Sequence, residues 1–265
     1  TLLQENATFY TGAEMPGGLA NTLTVLGVVH SRAGDDASAS RVGEEALAAA
    51  RRAGDEWLAT LILGNLAQSE LRQRHLARAE TLLEQARDAN IRGGNLKLAI
   101  DQQLALGRLR EMQGDAAEAH RLALDCLRQA DQHGYRTYVA DALEQAAFAG
   151  WRLGAADRGA RLLGAAAALR GRLGAANVRD EVAYYDERRA QFRAALGKTR
   201  FDQLVDAGGL LSRDAAVALA LEALPLESAL PDARLRPPPG GVRATGADPL
   251  AGLTRREREV ASLIA

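Results

Sequence analysis

Gly54, Gly94, Gly134 and Gly174 stand forty residues apart, and much of the chain keeps step with them. On that period Gly27, Ala67, Gly107 and Ala147 share one position, and Gly34, Arg74, Gly114 and Gly154 share a second. A third column reads Ala39, Ala79, Ala119 and Gly159, and a fourth Ala46, Ala86, Cys126 and Ala166. A fifth holds Leu26, Leu66, Leu106 and Ala146. A fixed period of this length means one supersecondary unit repeated, each copy burying its apolar face against the next. The expected architecture is therefore a solenoid, and the expected role that of a scaffold and not a catalyst.

Each unit reads as two helices. In the third, residues 100–113 carry apolar side chains on one face, Gly114-Asp115 interrupts, and helical spacing resumes over 116–133 as far as Gly134. The glycines at the ends of such helices suit a left-handed backbone, which costs a side chain about 1 kcal/mol. Small residues such as Gly107, Ala119 and Cys126 let two helix backbones approach closely. Composition agrees, since aromatics are only 4% of residues while alanine and leucine abound, favouring close-packed helices over a β-rich core.

Charge and cysteine content narrow the function classes. Thirty-three lysines and arginines nearly cancel 34 aspartates and glutamates, so the whole surface has no basic footprint for nucleic acid. Cys126 is the sole cysteine and cannot form an internal disulfide, which suits a reducing, cytoplasmic setting. No run of eighteen apolar residues occurs and Thr1 opens no signal peptide, so no membrane partner is expected. Residues 1–14 align with 41–54, the second half of a unit, so the first repeat is expected to be truncated.

The register resembles that of tetratricopeptide repeats: Leu106-Gly107, Gly114-Asp115, Ala119 and Cys126, matched by Leu26-Gly27, Gly34-Asp35, Ala39 and Ala46. Leu66-Ala67, Ala79 and Ala86, then Ala147, Gly154 and Ala166, continue it. HEAT and armadillo repeats share a period near forty but fit this small-residue register less well. The usual tetratricopeptide unit is about 34 residues, so the extra residues here must lengthen the helices or the connections. The resemblance implies an all-α fold, a right-handed superhelical solenoid of antiparallel helix pairs with C-terminal capping helices. The boundaries expected are repeats over 1–175, capping helices over 176–230 and a Pro/Gly-rich linker over 231–250. The first helix of a truncated DNA-binding domain is expected over 251–265.

That last expectation comes from the tail. Thr254 and Glu257 have capping-box spacing, and Leu253, Val260, Leu263 and Ile264 form an apolar stripe. Leu253, Thr254, Arg256, Glu257, Glu259, Val260, Leu263, Ile264 and Ala265 resemble the first helix of the LuxR-type helix-turn-helix domain, with Ala261 departing from its usual leucine. Residues 161–170, Leu196-Gly197, Leu211-Ser212 and 216–220 are similar to the end of the sensor region in large MalT-like bacterial regulators. Those regulators join an ATPase module, a helical-repeat sensor and a C-terminal DNA-binding domain. The resemblance implies a region that couples binding of a protein, peptide or small-molecule effector to transcription, with DNA touched only through the missing recognition helix. A stand-alone peptide-binding tetratricopeptide adaptor is the alternative.

Chemistry is sparse. Leu196-Gly197-Lys198-Thr199 ends like a phosphate loop, but the position needing the loop's first glycine is Phe192, inside a helix. His30, His75, His120 and His133 lie on different repeats with no partner at i+3 or i+4, and Cys126 falls in a small-residue column. No catalytic residue, cofactor or metal is assigned. Binding candidates lie on the concave face of the first helices, where the columns are Arg32, Arg72, Met112, Arg152; Val28, Gln68, Arg108, Phe148; and Val25, Asn65, Ala105, Gln145. Arginines there can grip a carboxylate or phosphate through paired donors. Asn65, Gln68, Arg72, Arg108, Gln145, Phe148 and Arg152 are thus the candidate groove residues. The bland alternative is that the arginines pair with Glu70, Glu111 and Glu144 or merely carry solvent.

Overall fold

The computed structural model describes residues 2–174 and 182–224. The linker expected at 231–250 and the helix expected at 251–265 lie outside the described residues. The described residues form twelve α-helices and no strand. They run α1 (Leu2–Gly12), α2 (Pro16–Arg32), α3 (Asp36–Ala53), α4 (Glu56–Arg72), α5 (Leu76–Arg92) and α6 (Leu96–Gln113). Then come α7 (Ala116–Gln132), α8 (Arg136–Arg152), α9 (Ala156–Arg172), α10 (Val182–Leu196), α11 (Lys198–Gly209) and α12 (Arg213–Leu221). Residues up to Ala89 form one compact unit and those from Asn90 a second. In the first, α2 packs on α1 and α3, and α3 on α4; in the second, α7 packs on α6 and α8, and α8 on α9.

Helices α2 to α9 are each 17 or 18 residues long. Turns of only two or three residues join them, so two helices and two turns account for the forty-residue beat. The residues in excess of a 34-residue unit have gone into the helices. A turn that short folds each helix back on its predecessor.

The turns themselves are uniform. Gly34, Gly54, Gly94, Gly114, Gly134, Gly154 and Gly174 all take positive φ, between 60° and 92°. Beyond the glycine, Asp35, Asp55 and Asp115 cap the next helix, accepting from the amides of Ser38, Leu58 and Glu118 at 3.1, 2.9 and 3.0 Å. Two residues without glycine's freedom adopt the same conformation: Glu14 (φ 52°) and Arg74 (φ 64°). They are the members of the two glycine columns where glycine is missing. Arg74 reproduces its column's hydrogen bonds, its amide donating to the Leu71 carbonyl at 3.1 Å and that of His75 to Glu70 at 2.9 Å. The corresponding bonds at Gly114 are 3.1 and 2.9 Å long. Packing of the flanking helices therefore sets the backbone, and the side chain complies.

The small-residue columns sit where helices cross. Ala67 and Ala147 are fully buried, as are Ala46, Ala86, Cys126 and Ala166. A Cβ on Gly159 would approach the Ala147 carbonyl to 2.6 Å, so the α8–α9 crossing leaves room for hydrogen alone. The closest approach closes the repeat array: a Cβ on Gly164 of α9 would run into the Val205 carbonyl, and one on Gly208 of α11 into that of Arg161. Ser212 caps α12, its hydroxyl accepting from the Ala215 amide at 3.1 Å. The far end of α12 is held by Arg158 of α9, which donates to the Glu222 and Ala223 carbonyls at 2.7 and 2.9 Å.

Two substitutions test this account. Arg74→Gly should raise stability to unfolding by up to about 1 kcal/mol, because it removes the left-handed strain of a residue with a Cβ. Gly164→Ala should lower it by about 1–3 kcal/mol through forced separation of α9 and α11. Denaturant melts of the two variants would show the opposite shifts.

Candidate functional site

In the second unit the first helices of successive pairs, α6 and α8, present Glu111, Glu144 and Phe148 to one another's neighbourhood, and α10 packs on α8. Glu111 and Glu144 have side chains only 4% and 5% exposed, and Phe148 is fully buried. Carboxylates buried this deeply need partners. Those partners come from α9 and α10. Arg188 of α10 donates to Glu111 Oε1 at 2.8 Å, and its other terminal nitrogen donates to the Tyr184 hydroxyl at 2.7 Å. Its guanidinium carbon lies 5.1 Å from the Phe148 ring centroid and 5.2 Å from that of Tyr184, within cation–π range of both. Arg189 approaches Glu144 to 3.6 Å, while Arg170 of α9 bridges Glu144 and Asp141 at 2.6 and 3.0 Å.

The far half of α10 is anchored differently. Phe192 is fully buried, stacks on Trp151 at 4.5 Å between centroids with 6° between planes, and meets Phe201 edge-on at 5.4 Å. Burial of such a ring contributes roughly 1.5–3 kcal/mol. One end of α10 is thus in the core, and the other is gripped through charge.

The electrostatics follow from burial. Desolvation pushes the Glu111 carboxyl up to about 7 from its ordinary 4.5, outweighing the attraction of Arg188, Arg152 and Arg108, with Glu144 adding like-charge repulsion. Burial is also the main influence raising the Tyr184 hydroxyl. The Arg188 guanidinium is held above its usual value because Glu111 and Tyr184 outweigh desolvation.

The candidate groove residues divide between the two units. Arg108, Gln145, Phe148 and Arg152 belong to the second. Phe148 lies under Arg188 and is tilted against Tyr185 at 6.1 Å. Gln145 is buried, its amide donating to the Leu104 carbonyl at 2.6 Å, so it ties α8 to α6 instead of facing outward. Arg108 and Arg152 are half-buried and act on Glu111 through their charge. In the first unit Asn65 is exposed and Gln68 half-buried. Arg72 spends its donors at home: on Asp36 at 2.8 Å, on Ser31, and on Ser69 at 3.2 Å. Glu70, 2% exposed in its side chain, meets His75 at 2.8 Å.

Arg188 and Arg189 escaped the repeat-based reading because α10 lies outside the forty-residue register. The available signal was the i, i+4, i+8 stripe of Tyr184, Arg188 and Phe192. Among the described residues no group of three or more metal-ligating side chains is gathered, and no helix is long and apolar enough to cross a membrane. Gly197 has φ 85° and precedes α11, which makes it a helix break and not part of a phosphate loop. Cys126 is buried with its sulfur 3.8 Å from the Ile100 carbonyl, and burial raises its thiol. His120 is buried beside Gly150, and its imidazole is pushed down by desolvation first and by Arg158 second.

Because the folded Glu111 binds its proton more tightly than the unfolded chain does, its contribution to stability is complete below about pH 4.5 and is lost as pH rises through about 7. Glu111→Gln removes this pH dependence. The variant's stability relative to the parent should therefore rise by about 3 kcal/mol between pH 4.5 and pH 8, as read from denaturant melts across that range. A pH-independent difference would mean that Glu111 stays ionised throughout. In comparison with known proteins, neither a protein-family model nor a curated protein sequence matches this chain.

Proposed function

We propose that this chain is the helical-repeat, effector- or partner-binding region of a cytoplasmic LuxR-type transcription regulator. Its work is to couple binding on the repeats to DNA contacts made by a helix-turn-helix domain whose start the sequence of residues 251–265 resembles. The observation that carries the reading is the order of features along the sequence. Forty-residue helical repeats lead into closing helices out of register, then a proline-rich stretch, then Leu253, Thr254, Arg256, Glu257, Glu259 and Val260 in the spacing of the LuxR-type first helix.

The arrangement of the second unit supports a binding role. Its first-helix face holds charged and aromatic side chains that already grip a helix, α10, through Arg188 and Phe148. Coupling of binding to a distant domain requires a ligand that distinguishes two states of the protein.

The discriminating experiment is to read the parent gene beyond Ala265. A turn followed by a second, basic recognition helix is the expected outcome, and a gel shift with the extended protein should then show sequence-specific binding that the 265-residue chain lacks. A stop codon directly after Ala265 would overturn the regulator reading and leave a stand-alone adaptor.

A further inference from the structure

We propose that the face shared by α6 and α8 is a helix-docking groove, that α10 occupies it in cis, and that it takes in trans a helix bearing an arginine pair one turn after an aromatic pair. The inference stands whether or not the chain belongs to a transcription regulator.

Three observations carry it. First, the floor is built for a guanidinium beside a ring. Glu111 and Glu144 come from separate helices, both nearly buried, and the Arg188 guanidinium that meets Glu111 also lies over the Phe148 ring, while Arg189 approaches Glu144. Planar guanidinium groups match carboxylates and stack on aromatic faces, whereas an ammonium or a neutral side chain does neither as well. Second, the cis occupant is divided. Phe192 is locked between Trp151 and Phe201, but Tyr184, Tyr185, Arg188 and Arg189 are held by charge and ring contacts. The fit of that front half is incomplete, since Arg188 Nε is buried with no hydrogen-bond partner among the described residues. A competing helix can therefore replace the front half of α10 without disturbing the Phe192 anchor.

Third, a cover is not a requirement of the repeat. Among the described residues no helix covers the same columns in the first unit: Val25 is 51% exposed, and Asn65 is exposed as well. In the second unit Phe148, which shares a column with Gln68, is fully buried with Arg188 of α10 over its ring. The covering of α6 and α8 answers to the particular side chains Glu111, Glu144 and Phe148, which is the basis of selectivity.

The test uses the full 265-residue chain and a fluorescein-labelled synthetic peptide of residues 180–197. The parent chain, with its own α10 in place, should bind the peptide weakly by fluorescence anisotropy. At pH 8, where Glu111 is mostly ionised, Arg188→Glu sets like charge against it and should free the groove and tighten peptide binding at least about tenfold, a difference of about 1.4 kcal/mol. A peptide with both arginines replaced by glutamate should lose at least about tenfold of that affinity, and Glu111→Arg in the chain should restore binding of the glutamate peptide. Equal peptide affinity in the parent and a cooperatively melting Arg188→Glu chain would overturn the proposal. Should that variant fail to fold, amide exchange on the parent chain decides. Residues 184–189 exchanging at least about tenfold faster than α8 supports a releasable front half, and equal protection overturns it.

Discussion

Everything in this fold depends on how closely helix backbones can approach where they cross. Alanine, glycine or cysteine occupies the crossing positions, so adjacent helices meet with almost no side chain between them. At Gly159 a single added carbon would come within 2.6 Å of the Ala147 carbonyl. Such contacts are short-ranged and numerous, and dispersion across them is lost steeply with a small outward shift. The crossing geometry in turn dictates where each helix must end, and hence the left-handed turn residue and the aspartate cap that follows it. Glu14 and Arg74 show the direction of cause, because they take the turn conformation without the residue type that makes it easy.

Against that apolar lattice the α6–α8 face is an exception. Burying carboxylates in a helical array is unfavourable unless each is met by charge and hydrogen bonds, and Glu111 remains poorly compensated even beside an arginine. A core built for stability alone would place leucine there. A charged pair in this position contributes discrimination between arrangements, since removing one partner strands the other. The chain thus combines a close-packed scaffold with a buried charged contact in its second unit.

The sequence makes the scaffold legible because the same physical demand recurs in every unit. Turn glycines, Gly-Asp pairs and small-residue columns each repeat, and their spacing alone places helices and crossings to within a few residues. Thus the helix expected at 100–113 is α6, which begins at Leu96. The α6–α8 face is less legible. Arg188 reaches back 77 residues to Glu111, and nothing periodic connects them. Gly164 reads in sequence only as part of a resemblance, and its reason, the close passage of α11, belongs to a helix out of register. Gln145 and Phe148 share columns with Asn65 and Gln68, yet their neighbours differ, so a column alone does not say which members meet solvent.

That 77-residue separation also has a consequence in time. Contacts within and between adjacent repeats are local and form early, whereas the seat of α10 waits for a segment made much later. At roughly 5–20 residues per second, a ribosome needs about 2–7 s to pass from Arg152, where α8 ends, to Arg188. During that interval the α6–α8 face emerges with its carboxylates and Phe148 uncovered. The newborn chain is therefore open at this face before the finished one closes it.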